Sequence, residues 1–161
     1  MDIERALIHE PISTLPLKAA ITVPLDGTLA EAVRTLQEGH VGCVLVVDAN
    51  GGLAGIFTER DLLTKVAGRR HDWDNEPISA FMTSAPETLR LDDSLAWALN
   101  YMHLGGYRHV PLLDEVGHLA GVVSVKDIVE HIVELFPAAV VNLPARSARL
   151  RPAREELGGD A

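Results

Sequence analysis

The chain has 161 residues, of which 47% are hydrophobic, and carries a formal net charge of −9. This is ample material for a core without cross-links, and no apolar run approaches the ~18 residues of a membrane span. Before Pro137 the chain holds 20 acidic against 10 basic residues, a balance that repels phosphate backbones and argues against general nucleic-acid binding.

The N-terminus M-D-I-E-R-A-L-I-H-E has no basic stretch followed by an apolar one, so no secretory leader is expected. The lone cysteine, Cys43, sits in V-G-C-V-L-V-V and reads as a buried strand residue in a reducing compartment. A cytoplasmic protein with no membrane partner is the expectation.

In chain order, T22-V-P-L-D is a short extended stretch, and T28-L-A-E-A-V-R-T-L-Q-E carries apolar residues at 29, 32, 33 and 36, a helical spacing closed by Gly39. Thr28 and Glu31 form a capping-box pattern. C43-V-L-V-V is an apolar run too short for a helix, D48-A-N-G-G supplies hairpin chemistry, and L53-A-G-I-F is the returning strand. A second helix runs from Thr58 to about Val66. The polar segment G68-R-R-H-D-W-D-N-E-P77 is a linker or surface loop. The same order then recurs: T88-L-R-L-D, a helix from Ser94, H109-V-P-L-L, D114-E-V-G-H, L119-A-G-V-V and a helix from Ser124 to about Leu135, stopped by Pro137.

The recurrence is an internal duplication at an offset of 66: residues 12–66 match residues 78–132 at 17 of 55 positions without a gap. The expected organisation is one copy over 10–67, a linker over 68–77, a second copy over 78–136 and a tail over 137–161. The apolar part of the tail is expected to dock on the module or its dimer mate, and its last dozen residues to be poorly ordered. Each copy reads β-α-β-β-α. A unit of this size is marginal alone, so two packed sheet to sheet around a common core is the economical arrangement.

Each copy ends in one motif, G55-I-F-T-E-R-D61 or G121-V-V-S-V-K-D127. A hydroxyl residue three positions before a carboxylate is a capping-box signature, although that box prefers Glu or Gln at its fourth position. The same residues at a helix N-terminus also suit half of a nucleotide pocket. The two roles can coexist. Seven histidines are present, but no H-x-x-x-H or C-x-x-C occurs, and neither G-x-S-x-G, a Walker A loop nor G-x-G-x-x-G appears. No catalytic residue and no metal site is expected. Trp73 and Trp97 read as core or interface anchors.

The two copies, each with G-h-h-[S/T]-x-x-D opening its last helix, resemble a tandem cystathionine β-synthase (CBS) domain pair, the Bateman module. G-I-F-T-E-R-D-L-L, G-V-V-S-V-K-D-I-V, F81-M-T and Y107-R-H-V-P-L-L-D carry the likeness, which covers roughly residues 10–135. It implies a mixed α/β (α+β) fold of two pseudo-symmetric repeats with two clefts between them for adenine nucleosides or nucleotides. By that resemblance Asp61 and Asp127 would accept the ribose hydroxyls, and Thr58 and Ser124 would donate to phosphate. Thr22, Val23 and Pro24, and likewise Thr88, Leu89 and Arg90, would line the adenine. Ile56, Phe57, Val122 and Val123 would form walls. Arg60 and Lys126 sit inside the motifs, and Arg90, Arg108 and His109 lie where phosphate is commonly neutralised, whereas the first copy has Pro24, Gly42 and Cys43 there. The clefts are therefore not equivalent, and a more phosphorylated ligand should prefer the one lined by second-copy cations.

The resemblance further implies a non-enzymatic sensor without a prosthetic cofactor. Its ligand would be AMP, ADP, ATP or another adenosine derivative such as S-adenosylmethionine or NAD. It would form a homodimer through helices, with the faces over 28–38 and 94–104 as candidate surfaces, and regulate a separate protein in trans. The alternative is an adaptor that serves dimerisation and keeps its clefts empty; a small hydrolase has no motif behind it.

Overall fold

A computed structural model describes residues 3–135, so the expectations for Pro137 and the tail lie outside the described residues. Helix α1 spans Ile3–His9, β1 Thr22–Pro24, α2 Leu29–Gly39, β2 Cys43–Val47 and β3 Leu53–Thr58. Helix α3, Glu59–Asp61, runs into a π-helical turn over Leu62–Val66, and β4 is Thr83–Ser84. The second copy supplies β5 (Leu89–Arg90), α4 (Leu95–Gly105), β6 (His109–Leu113), β7 (Leu119–Ser124) and α5 (Val125–Glu134). The result is a mixed α+β fold with two sheets, ordered β1-β2-β3-β4 and β5-β6-β7.

Local chemistry explains the elements. In the β2-β3 turn, Asp48 Oδ1 accepts from the N–H groups of Asn50 (2.8 Å) and Gly52 (2.9 Å), and Gly51 takes φ +79°, which a side chain would resist. Asp114 and Gly117 repeat this in the β6-β7 turn. The Thr28 hydroxyl and Glu31 close a reciprocal capping box on α2. Ser94 begins α4 without a side-chain cap, and Trp97 at the third helical position has no acceptor to return the other half of a box. The helix expected over Thr58–Val66 loosens after one turn: Ala67 N–H bonds to Leu62 O at 2.9 Å, five residues back.

Strand alternation builds the core. Val44 and Val46 of β2 join Leu29, Ala32 and Leu36 of α2, while Cys43 and Leu45 point the other way. With Ile56, those two meet Leu119 and Val122 of the opposite sheet, so the sheets face each other. In the second copy Val110, Leu112 and Val123 pack on Leu95, Ala98, Met102 and Ile128.

The copies are interlocked at their beginnings. Ile12 and Leu15 belong to the second-copy core, with Leu89 and Leu112, whereas Ile78 and Phe81 belong to the first, with Val44 and Phe57. Backbone bonds repeat the exchange symmetrically: Ile12 N–H to Asp93 O (2.8 Å) and Ile78 N–H to Gly27 O (2.9 Å). Likewise Leu95 N–H bonds Glu10 O (3.0 Å) and Leu29 N–H bonds Glu76 O (2.9 Å), each satisfying a first-turn donor of α4 or α2. Strand β4 then lies on β3 so closely that a Cβ on Gly55 would stand 2.9 Å from Thr83 O.

Ile12 is fully buried, so Ile12→Ala should cost about 2–5 kcal/mol, although it belongs to the first copy and packs in the core of the second. Urea denaturation followed by circular dichroism measures this; Leu25→Ala, at an exposed site, should cost under about 1 kcal/mol.

Candidate ligand clefts

At their motif ends, Cys43 of β2 pairs with Thr58 of β3, and His109 of β6 pairs with Ser124 of β7. A cleft opens at each of these ends. The first, a cavity of about 220 Å³, is lined by Ile56, Thr58, Arg60 and Asp61 together with Thr83, Pro86 and Glu87 and second-copy residues 105–109. The second, about 340 Å³, is lined by Val122, Ser124, Lys126 and Asp127, by Lys18, Ala19 and Ile21, and by first-copy residues 40–43. Each cleft thus joins one copy's motif to the other copy's strand entrance.

Both motifs are reciprocal capping boxes. Asp61 Oδ2 accepts from Thr58 N–H and from the Thr58 hydroxyl, each at 2.9 Å, and Asp61 N–H donates back to Thr58 Oγ1 at 3.2 Å. At the twin site, Asp127 Oδ2 accepts from Ser124 N–H (2.7 Å) and the Ser124 hydroxyl (2.6 Å). The caps fix each carboxylate at the cleft wall. A hydroxyl that already donates to its own cap must turn before it can donate to a phosphate.

The sites differ in the other carboxylate oxygen. Asp61 Oδ1 holds Lys65 Nζ at 2.8 Å, and that ammonium also donates to Phe81 O at 2.8 Å. The position equivalent to Lys65 is His131, whose Nε2 instead meets Glu10 Oε2 at 2.6 Å. Among the described residues no donor is placed on Asp127 Oδ1. The first cleft is also bridged: the Arg60 guanidinium donates to Gly106 O, and the Tyr107 hydroxyl donates to Glu87. Burial first, and then Glu87, pushes the Tyr107 phenol up to about 12. In the second cleft Lys126 leans on Glu130 at 3.4 Å.

Arg108 and His109 line both clefts, so they do not distinguish one from the other. His109 packs against Gly42, where an added Cβ would lie 3.0 Å from its ring. Burial, reinforced by Arg108, lowers the His109 pKa below its ordinary value, against the opposing pull of Asp127 and Glu59. Cys43, at the position equivalent to His109, is buried and its thiol is pushed up to about 12, leaving it neutral.

Of the residues expected to line adenine, Ile56 and Val122 stand in the first and second clefts, but Thr22, Val23, Pro24, Thr88, Leu89 and Arg90 line neither. Parallel pairing of β1 on β2 and β5 on β6 turns Val23 and Leu89 into the two cores. Thr22 and Pro24 are exposed, and Arg90 Nε meets Asp92 at 3.1 Å. Phe57 and Val123 are likewise fully buried core residues. The entrance walls come from segments just upstream, 18–21 and 83–87. Sequence reasoning missed these; the available signal was their place at the same offset ahead of β1 and β5.

Two interlocked copies of one α+β unit, with a matched hydroxyl-carboxylate cap in each of two clefts, define a tandem-repeat module. The CBS domain model matches residues 12–68 and 78–134, and the chain belongs to the CBS domain family. It is similar to a CBS-domain containing protein of Agrobacterium tumefaciens (35% identity, TM-score 0.64, 70% of this chain and 84% of that one). A CBS domain protein from Pyrobaculum aerophilum, solved in complex with AMP, is 26% identical with TM-score 0.69, over 80% of this chain and 99% of that one. A CBS domain-containing protein of Arabidopsis thaliana is 36% identical over 103 residues, 64% of this chain but only 19% of that protein. The chain therefore spans about a fifth of that relative.

Because folding favours neutral His109, its stabilising contribution is present above the ordinary histidine value of about 6.5 and is lost as pH falls through its lower folded pKa. Melting temperature should therefore drop on acidification below about pH 6.5, and more steeply in the native chain than in His109→Gln; parallel slopes in differential scanning fluorimetry would refute this.

Proposed function

We propose that this module is a non-enzymatic sensor that binds an adenosine-containing ligand in its two clefts and passes the signal to a separate protein. The observation that carries the reading is the placement of Thr58 with Asp61 and of Ser124 with Asp127 on opposite clefts, each facing the other copy. The AMP complex of the Pyrobaculum aerophilum relative supports the ligand class. Asp127, with Oδ1 open, would take the ribose hydroxyls; in the first cleft they would share Asp61 with Lys65. Ile56 and Val122 offer apolar contact to the base.

The second cleft is the larger and adds Lys18 and Lys126 to the common Arg108, although Glu59 and Glu130 line it too, and the first sets Glu87 against Arg60. We assign the more highly phosphorylated ligand, ADP or ATP, to the second, and AMP or a less charged adenosine derivative such as S-adenosylmethionine to the first. The buried thiol of Cys43 suits a cytoplasmic setting.

A homodimer is part of the proposal. Leu63, Trp97, Leu104 and Val129, on the helical segments after β3 and on α4 and α5, are exposed, up to 75% for Leu104, and such side chains gain most by covering one another. These exposed side chains equally support the adaptor reading, in which dimerisation alone is the function.

Thermal shift separates the two. A ligand at 100 times its dissociation constant adds about 2.7 kcal/mol, so AMP or ATP should raise the melting temperature. Asp127→Asn should remove most of the ATP-induced rise while costing the empty protein about 1 kcal/mol or less, since an amide oxygen can still accept at the cap. Melting curves unmoved by AMP, ADP, ATP and S-adenosylmethionine would leave the adaptor reading standing. In sedimentation velocity, Trp97→Glu with Leu104→Glu should convert a dimer to a monomer.

A further inference from the structure

The two clefts share a wall. Gly42 and His109 touch across it and each lines both cavities, as does Arg108. In a symmetric duplication each cleft would own its cations. Here the positions equivalent to Arg108 and His109 are Gly42 and Cys43, so the first copy contributes no charge at these positions and the second copy's pair lines both sides.

We infer that the two clefts bind phosphorylated ligands antagonistically, because Arg108 can neutralise a phosphate in one cleft or the other but not in both. A guanidinium has a fixed fork of donors, and once it is turned to one phosphate, the opposite cleft loses its shared cation. The second anion must also approach the first through a wall with no other fixed positive charge, since burial keeps His109 neutral at neutral pH, and the low-dielectric partition screens little. Glu59, which lines the second cleft 3.6 Å from the Gly42 Cβ position, adds to the repulsion. The coupling is reciprocal, as any such linkage must be, and is confined to ligands that carry phosphate. It rests on the nucleotide reading above and specifies how the two sites regulate one another.

Isothermal titration tests it. AMP is titrated into the native chain and into Asp61→Asn and Asp127→Asn, which report each cleft alone, and adenosine is titrated into all three. The second AMP should bind the native chain at least fivefold more weakly than the same cleft binds it alone. Adenosine should show no such deficit, and Arg108→Ala should shrink the AMP deficit below twofold. If an asparagine variant does not fold, Thr83→Trp and Val122→Trp, which fill the first and second cleft, give the single-site chains. An AMP isotherm equal to the sum of the two single-cleft isotherms overturns the antagonism. So does an equal deficit with adenosine, or one that survives Arg108→Ala. Absence of binding by both AMP and adenosine overturns the nucleotide reading itself, and this inference with it.

Discussion

Everything in this molecule follows from two central strands that bury both faces. Strand β2 sends Val44 and Val46 to α2 and Cys43 and Leu45 to the opposing sheet. A helix covers only one side of a sheet. The other side must find a second sheet, and the second copy supplies it through Leu119 and Val122. Pairing of the copies is thus a requirement of the strand composition.

The exchanged entry segments give this pairing its second layer. With Ile12 in the second-copy core and Ile78 in the first, neither copy completes its core without chain that precedes the other. Those same segments run on into 18–21 and 83–87 and become cleft walls. Stability and cleft shape therefore share one set of contacts. The caps are shared as well: the bonds that hold Asp61 and Asp127 at their helix starts also hold the carboxylates at the cavities.

Much of this was legible in the linear chain. Strict apolar runs marked β2, β3, β6 and β7, Asp-x-x-Gly marked the hairpins, and the offset of 66 joined the two motifs. Less legible were features that depend on register or on distant neighbours. The position of β1 on β2 decides that Val23 faces the core and that the segment before it faces the cleft. The π-helical turn at Leu62–Val66 belongs to the stretch that brings Lys65 to both Asp61 and Phe81 O, a link across 16 residues that no local pattern records.

By itself the sequence determined the duplication, the order of elements, the two hydroxyl-carboxylate motifs and the inequality of the copies, because all of these are local or periodic properties of side chains along the chain. Only the tertiary structure decided which copy each entry segment serves, which residues wall each cleft, and that Arg108 and His109 stand between both. These are consequences of a pseudo-two-fold packing that brings Gly42 and His109 together between the copies, and a contact between residues 67 apart leaves no periodic trace in the sequence.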